Sequence, residues 1–235
     1  MKKVIAIPLA AGVTFLASTA AAQQAGTTFS NSGTFVLSAE RLAGLSFTHT
    51  AVDDPPDGED EIDTTEFSLG THVMVYSTNP FVQPQLGFDY FVIDHLSVGA
   101  GLAFWKGSGE ADPAGPGPSN DLDDITFFGI TPRVGYGMMF TPVIGLWARG
   151  GVGYHSFSSD DEDGTDTSEH TWAFTAEGLL MISPIDHFAI ELGPAIDIGF
   201  GGERETDPAN PNQPSVSRDV SYRQIGLVIG LAGWF

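Results

Sequence analysis

Large apolar residues alternate with small or polar residues along much of this chain. Successive side chains of a β-strand point to opposite faces, so each alternating segment predicts a strand with one apolar face. A first strand is predicted over Gly33–His49. The other segments that alternate most clearly are Leu86–Val92, Leu96–Phe104, Phe128–Phe140, Ile144–Tyr154, Trp172–Ile182, Phe188–Phe200 and Ile225–Phe235. The pattern therefore predicts eight strands.

The connections between these strands alternate between long and short. The long connections are acidic and polar, with many Gly and Pro residues, and they are Thr50–Asp63, Gly107–Asp124, Ser158–His170 and Gly202–Asp219. The short connections are Ile93–His95, Phe140–Pro142 and Ser183–His187. Long loops outside and tight periplasmic turns are typical of outer-membrane barrels. We therefore predict an all-β fold, an eight-stranded antiparallel transmembrane β-barrel built as an up-and-down meander, with long acidic extracellular loops.

One further segment, Thr64–Ser77, also alternates like a strand. A ninth membrane-spanning strand would place the C-terminus outside the cell, because each strand crosses once. We interpret the segment as a strand extension or a hairpin within the first long loop, standing above the membrane. A ten-stranded barrel is the alternative.

The beginning of the chain has the features of a secretory signal peptide. Met1–Lys3 is basic, Val4–Ala17 is mostly apolar, and Ala20–Ala22 supplies small residues for cleavage. A retained single-helix anchor is the alternative. The predicted organisation is a signal peptide over residues 1–22, a short N-terminal periplasmic segment over residues 23–32, and an outer-membrane β-barrel over residues 33–235.

Composition narrows the classes of function. The chain has 30 acidic and 9 basic residues, which give a formal net charge of -21. This charge argues against nucleic acid as a partner, because binding to phosphates depends on Lys and Arg. The sequence contains no cysteine, which excludes disulfides, thiolate metal sites and a cysteine nucleophile. A hydrophobic content of 42% fits a barrel, since only every second strand position faces lipid.

The strand phase opposite to the apolar sets forms the predicted lumen. An eight-stranded barrel is only just wide enough for its own side chains, so charges there must pair or their desolvation is costly. We interpret the inward charges as a salt-bridged plug, and a charged constriction in a narrow channel is the alternative. Arg41 would face lipid in a regular first strand, whereas a bulge near Glu40 and Arg41 would turn both inward. The predicted lumen charge network is Asp89, Arg133, Arg149, Glu177, Glu191 and Asp197.

Aromatic residues gather at both ends of the predicted strands. The set beside the short turns is Tyr90, Phe140, Phe188 and Phe235. The set beside the long loops is Phe104, Phe128, Tyr154, Trp172, Phe200 and Tyr222. Two aromatic girdles, one at each membrane interface, are expected of a barrel that spans a bilayer.

The leader, the eight strands, the short turns and the terminal Phe235 resemble those of small bacterial outer-membrane β-barrel proteins, the OmpA-like, OmpX-like and OmpW-like barrels. The resemblance implies a monomer in the Gram-negative outer membrane, with both termini in the periplasm. It implies contact with outer-membrane lipid and lipopolysaccharide. It also implies that the barrel assembly machinery and periplasmic chaperones act on the chain during biogenesis, with Phe235 as the assembly signal.

Catalysis is not expected from the histidines. His155 and Ser156 are adjacent, and neighbours on a strand point to opposite faces, so they cannot act as a pair. We expect no enzyme activity and no cofactor. The function predicted is that of a plugged structural or surface-interaction barrel that displays acidic loops. The alternative is a narrow porin-like channel for small or hydrophobic solutes.

The acidic run in the third long loop is the strongest candidate for a metal site. A calcium-loop frame with glycine at its sixth position begins at Ser159 and ends at His170, so both end ligands are wrong. We therefore expect a solvated acidic loop and no metal site. The alternative is weak binding of divalent cations by Asp160, Asp161, Asp163 and Asp166.

Overall fold

Nine antiparallel strands account for most of the residues that the computed structural model describes, which are 29–52, 62–71, 79–111, 120–160, 164–210 and 212–235. The predicted signal peptide lies outside these residues. Within the described ranges, no helix is both long and apolar enough to span a membrane. The strands are β1 (Phe35–Val52), β2 (Ile62–Thr71), β3 (Gln85–Ile93), β4 (Leu96–Ala111), β5 (Asn120–Met139), β6 (Ile144–Asp160), β7 (Asp166–Ile185), β8 (Phe188–Asp207) and β9 (Val216–Trp234).

Eight of these strands form a closed ring. From β3 to β9 each strand pairs with the next one in the chain, β1 pairs with β3, and β9 returns to β1. The pairing that closes the ring runs from Val36 opposite Trp234 to Val52 opposite Val220. The predicted eight-stranded antiparallel barrel is therefore confirmed.

Side-chain burial alternates along the ring strands as the sequence pattern predicted. In β9, for example, Leu227 and Ile229 are exposed on the outside, whereas Val228 and Ala232 are buried inside. The outward positions of the neighbouring strands are also large and apolar, as with Val134 of β5, of which 59% is exposed. A belt of this kind is stable only against lipid or another apolar phase.

The long connections differ from the prediction, because much of their length is strand. β4 continues to Ala111 and β5 begins at Asn120, so only residues 112–119 separate them. The predicted loops 158–170 and 202–219 are likewise largely taken up by hairpins. Beyond the apolar belt formed by the outward side chains, the strand backbones still pair with each other, while their side chains become polar on both faces. Apolar alternation therefore ends before the strands do. Of the first predicted loop, residues 53–61 lie outside the described residues.

β2 is the strand that the sequence pattern placed least well. It pairs with β1 in a register that sets Phe67 opposite Phe47 and Thr71 opposite Ala43, so its partner is the first strand and not the first long loop alone. Ala43 also pairs with Ile229, which lies in the apolar belt, so the lower half of β2 lies level with that belt. The prediction that the segment stands above the membrane is therefore wrong for its described part, which ends at Thr71, and residues 72–77 lie outside the described residues. β3 pairs with β1 only up to Glu40, which leaves the edge of β1 open to β2.

Two aromatic residues lie inside the barrel rather than where the sequence pattern placed them. Tyr222 was assigned to the outer girdle, but it shares the strand phase of Trp234 and is buried in the lumen. Phe29 belongs to the segment predicted to be a short periplasmic extension, yet its ring is buried against Phe91 and Trp147. The packed body of the protein therefore includes residues ahead of β1.

Candidate functional site

A bulge in β1 brings two consecutive charged side chains into the lumen. The register between β1 and β9 shifts between Ala39 and Ala43, and Arg41 has a φ of 54°, in the left-handed region. Such an irregularity lets neighbouring residues of a strand point to the same side. Glu40 and Arg41 are both buried. The structure thus contains the bulge that the sequence required for an inward Arg41.

Arg133 of β5 connects the charged residues of β1 and β3. Its Nη1 donates to Glu40 Oε2 and its Nη2 to Glu40 Oε1, each at 2.6 Å. Its Nε also donates to Asp89 Oδ1 at 3.1 Å. A guanidinium that meets carboxylates along two of its edges makes charge-assisted hydrogen bonds of the strongest kind found in proteins.

Arg149 of β6 continues the network from Glu40 to β7. Its Nη1 donates to Glu40 Oε1 at 2.7 Å, and its Nη2 donates to Glu177 Oε2 at 2.7 Å. The guanidinium carbon lies 4.5 Å from the ring centroid of Trp147, which adds a cation–π contact. Arg149 therefore occupies the centre of the network.

Arg41 completes the network at its other end. Its Nη2 donates to Glu177 Oε1 and to Asp197 Oδ1, each at 3.0 Å, and its Nη1 donates to Asp197 Oδ2 at 3.0 Å. Thr175 also donates to Asp197 Oδ1, at 2.7 Å. Carboxylates and guanidiniums alternate along the resulting row of buried side chains, which we call the lumen charge chain. In order it is Asp89, Arg133, Glu40, Arg149, Glu177, Arg41 and Asp197.

Aromatic rings fill the lumen at the end that carries the short turns. Phe29 meets Phe91, Trp147 and Trp234 edge to face, with ring centroids 5.2, 5.4 and 5.5 Å apart. Edge-to-face contacts of this length are favourable for aromatic pairs. All four rings are buried, so this end of the lumen is packed like a protein core.

Residues 79–83, which precede β3, lie in the lumen at the opposite end. This lumen segment, Asn79–Gln83, contains a short 3₁₀ turn that is capped by the side chain of Asn79, which accepts from the backbone N–H of Phe81. The Phe81 ring is 1% exposed and lies edge to face against His155 and Tyr222, at centroid distances of 5.3 and 5.9 Å. A piece of the chain itself therefore lies inside the lumen at the end away from the short turns, which we call its outer half.

Side chains of the wall hold the lumen segment in place. Arg41 Nη1 donates to the Phe81 carbonyl at 2.6 Å, which ties the segment to the lumen charge chain. Asn79 Nδ2 donates to Thr48 Oγ1 at 2.7 Å and to Gln224 Oε1 at 3.0 Å. Further out, the Tyr222 hydroxyl donates to Glu169 Oε1 at 2.5 Å. These contacts give the buried polar groups of the segment their hydrogen-bond partners.

The structure places every predicted lumen residue inside the barrel. Glu191 lies beside the lumen charge chain, with its Oε2 at 3.8 Å from Arg149 Nη2. The inward turn of Glu40 and Arg41 is one of the two alternatives that the sequence allows, and the alternation gives no indication of the lumen segment. The only signal for that segment was the Asn79-Pro80 pair, which favours a turn. The predicted residues that form hydrogen-bonded ion pairs within the lumen charge chain are Asp89, Arg133, Arg149, Glu177 and Asp197.

The acidic hairpins bring like charges into direct register. Asp160 pairs with Asp124 on one side and with Asp166 on the other, and Asp166 pairs in turn with Asp207. We call these four residues the aspartate row, which crosses β5 to β8 on their outward face. Asp161 and Asp163, the other two candidate cation ligands, lie outside the described residues. Among the residues that are described, no cluster of three or more His, Asp or Glu side chains is arranged to hold a metal ion.

His155 is buried in the outer half of the lumen, stacked on Phe127 at a centroid distance of 6.1 Å. Among the described residues, neither of its ring nitrogens has a hydrogen-bond partner. A general base must lie within hydrogen-bond reach of the group that it activates. Within the described ranges, His155 thus contacts aromatic rings and makes no hydrogen bond to a hydroxyl group that it could activate.

Phe235 extends the pairing of β9 with β1 by one residue. Its backbone N–H donates to the Phe35 carbonyl at 2.9 Å, and the Phe35 N–H donates to the Phe235 carbonyl at 3.1 Å. Its side chain is partly exposed on the outside of the barrel. The last residue is thus positioned by the strand pairing that closes the ring.

Solved structures of outer-membrane proteins are similar to this fold. OprG from Pseudomonas aeruginosa is 14% identical, with a TM-score of 0.53 over 87% of this chain and 97% of that protein. AlkL, determined in lipid bilayers, is 15% identical, with a TM-score of 0.54 over 91% of this chain and 95% of that protein. Identities at this level show the shared barrel fold and nothing finer.

A looser likeness links the chain to OmpT, an outer-membrane protease from Escherichia coli. The two are 9% identical, with a TM-score of 0.44 over 89% of this chain and 99% of that protein, too low to carry an argument about catalysis. No protein-family model matches the sequence, and no curated protein matches it either. The function must therefore be argued from the geometry of the barrel.

Proposed function

We propose that the protein is an integral barrel of the Gram-negative outer membrane with a closed lumen, and that it serves as a structural and surface-interaction barrel. The observation that carries the proposal is the filling of the lumen at three levels. Aromatic rings fill the end with the short turns, the lumen charge chain fills the middle, and the lumen segment fills the outer half. The protein has no enzymatic role and needs no cofactor in this proposal.

The apolar belt supports the membrane location. Outward residues such as Phe174 and Ile196 are large, apolar and exposed on neighbouring strands. A soluble protein rarely exposes a continuous apolar surface of this extent. In our proposal the belt contacts outer-membrane lipid, both termini lie in the periplasm, and the protein is a monomer.

The acidic hairpins support a role at the cell surface. The aspartate row and the nearby Glu203, Glu205 and Asp219 carry negative charge just beyond the apolar belt. Lipopolysaccharide presents phosphates at this level, which would repel the carboxylates unless divalent cations lay between them. We propose that the hairpins face lipopolysaccharide and that any divalent cations are held weakly there, without a defined site.

A narrow channel for small or hydrophobic solutes is the competing function. A solute crossing the lumen would have to displace the lumen segment and then separate Arg149 from Glu40 and Glu177. A buried ion pair that loses one of its two partners typically costs about 3–5 kcal/mol, because the remaining charge is buried without compensation. The aromatic rings, the lumen charge chain and the lumen segment therefore favour a closed barrel over an open pore.

Recordings in planar lipid bilayers test the proposal. The purified protein is expected to insert, as shown by a heat-sensitive shift in its electrophoretic mobility, and to give no discrete single-channel steps. Arg133→Ala and Arg149→Ala are the informative variants, because each removes a charge that blocks the middle of the lumen. Discrete steps in the wild-type protein that change in either variant would establish a channel and refute the closed barrel.

Assembly is the last part of the proposal. We propose that the barrel assembly machinery recognises Phe235 and that periplasmic chaperones deliver the chain to it. Phe235→Ala is expected to lower the amount of folded protein in the outer membrane, whereas Phe140→Ala, which removes an exposed ring at a short turn, should not. Equal amounts of folded protein for both variants would rule out Phe235 as the signal.

A further inference from the structure

Glu191 is a buried carboxyl group without a full set of partners. It projects from β8 into the lumen and is 1% exposed. Its Oε1 has no hydrogen-bond partner among the described residues, and its Oε2 lies 3.8 Å from Arg149 Nη2, beyond hydrogen-bond distance. The four carboxylates of the lumen charge chain each accept at least one hydrogen bond from an arginine. Glu191 is therefore the exception among the buried acids of this network.

The charged groups around Glu191 are already committed to one another. Arg149 of β6 faces it, but that guanidinium donates to Glu40 of β1 and Glu177 of β7 at 2.7 Å. Arg133 of β5 is the next cation, and it is bound to Glu40. From β9 the residue opposite Glu191 is Gly230, which offers no charge. In the part of the chain that the structure describes, no neighbouring cation is left to neutralise a negative Glu191.

The charge balance of the network points in the same direction. Of the described residues, five carboxyl groups share three guanidiniums in this part of the lumen. An uncompensated charge in a buried site is costly, and a carboxyl group in that position takes up a proton instead. We propose that Glu191 is a proton-binding site and stays protonated at neutral pH when the barrel is folded.

The bound proton matters for the lumen charge chain. A neutral Glu191 leaves Arg149 free to bind Glu40 and Glu177. A charged Glu191 would compete with Glu177 for the same guanidinium from 3.8 Å away. Release of the proton would therefore weaken the connection between β6 and β7 at the centre of the lumen. This inference concerns the lumen alone and does not depend on the proposed role at the cell surface.

Infrared spectroscopy of the folded protein in lipid vesicles tests for the proton directly. The C=O stretching band of a protonated carboxyl group is expected at neutral pH in the wild-type protein, and it should disappear as the pH is raised. Glu191→Gln should lack this band. Glu66→Gln, which replaces an exposed glutamate on β2, should keep it. Absence of the band at neutral pH in the wild type, or its persistence in Glu191→Gln, would overturn the proposal.

Unfolding measured against pH gives a second test, which uses the wild type and Glu191→Gln in parallel. An unfolded glutamate loses its proton near pH 4.3, at about the value for model peptides. Above that pH the folded state would hold one proton more than the unfolded state, so stability falls as the pH rises. Relative to Glu191→Gln, the wild-type unfolding constant should rise by up to about tenfold per pH unit. Parallel curves for the two proteins would refute the proposal.

Discussion

Arg133 and Glu40 are joined across the lumen by two hydrogen bonds of 2.6 Å, one from each terminal nitrogen of the guanidinium to each carboxylate oxygen. Their strands, β5 and β1, are not neighbours in the ring, since β3 and β4 lie between them. The bonds therefore connect opposite parts of the wall. The lumen charge chain acts through such cross-lumen contacts, and its contribution to stability can be measured.

Arg41→Met is expected to lower the free energy of unfolding by about 3–5 kcal/mol, because it leaves Asp197 and Glu177 buried with less compensating charge. Urea titration in lipid vesicles, followed by tryptophan fluorescence, measures the change. Arg223→Met makes the same replacement on the outward face of β9 and should have a much smaller effect. Equal losses in both variants would show that Arg41 has no special role.

Gly87→Ala is expected to destabilise the barrel by about 1–3 kcal/mol. A methyl group on Gly87 would overlap the carboxylate of Glu40 and the hydroxyl of Ser38, so both would have to move. Gly201→Ala is the matched control, because a methyl group there meets nothing within 4 Å. The difference between the two unfolding free energies is the quantity to measure. A Gly87→Ala protein as stable as the control would contradict the tight packing around Glu40.

Phe81→Ala is expected to cost about 3–5 kcal/mol, the usual range for removing a fully buried aromatic ring. The variant leaves a cavity between His155 and Tyr222 in the outer half of the lumen. Phe140→Ala removes a ring of which 59% is exposed, so it leaves no internal cavity and should cost much less. Comparable urea midpoints for the two variants would mean that the lumen segment is not packed as described.

Thiol labelling tests the orientation of the barrel, since the native sequence has no cysteine. Ala209→Cys, between β8 and β9, should react with a membrane-impermeant reagent on intact cells. Asp186→Cys, in the short turn between β7 and β8, should react only after the outer membrane is permeabilised. The reverse pattern of labelling would place the short turns outside the cell.

Asp166→Asn is expected to stabilise the protein by about 0.2–1 kcal/mol at low salt. Asp166 faces a like charge on both sides, at Asp160 and Asp207, and directly opposed like charges are destabilising. The gain should shrink at high salt, where exposed charges are screened. Asp186→Asn, which removes an exposed carboxylate at a turn, is the control for net charge. A loss of stability in Asp166→Asn would show that the aspartate row is held by favourable contacts.

The fold was predictable from the sequence because the membrane simplifies the pattern. Each ring strand must present apolar side chains to lipid at every second position. This rule correctly predicts which residues face outward, such as Ile196, and which face the lumen, such as Asp197. Outside the lipid the rule no longer applies, so the strands in the acidic hairpins were predicted as loops. Tyr222 lies beside a long loop, where an outer-girdle position is expected, but its strand phase turns the ring into the lumen.

The inward charges were identified by the same phase, but their partners were not. Alternation says which side of the wall a residue faces, and it does not say which residues meet across the lumen. The bulge at Glu40 and Arg41 also breaks the alternation, so the two residues that link the network were assigned only as a guess. The position of Phe81 depends on the entry of residues 79–83 into the lumen, for which the local sequence gives little information.

The bulge in β1 has a consequence for the order of folding. Glu40 and Arg41 both lie on the strand that meets β9 to complete the ring. Asp197 of β8 and Glu177 of β7 lie on the far side of that pairing from Arg41 of β1. The first and last strands of the barrel, far apart in the chain, must therefore come together for these two carboxylates to gain Arg41 as a partner. Closure of the ring and the pairing of Arg41 are thus parts of the same step.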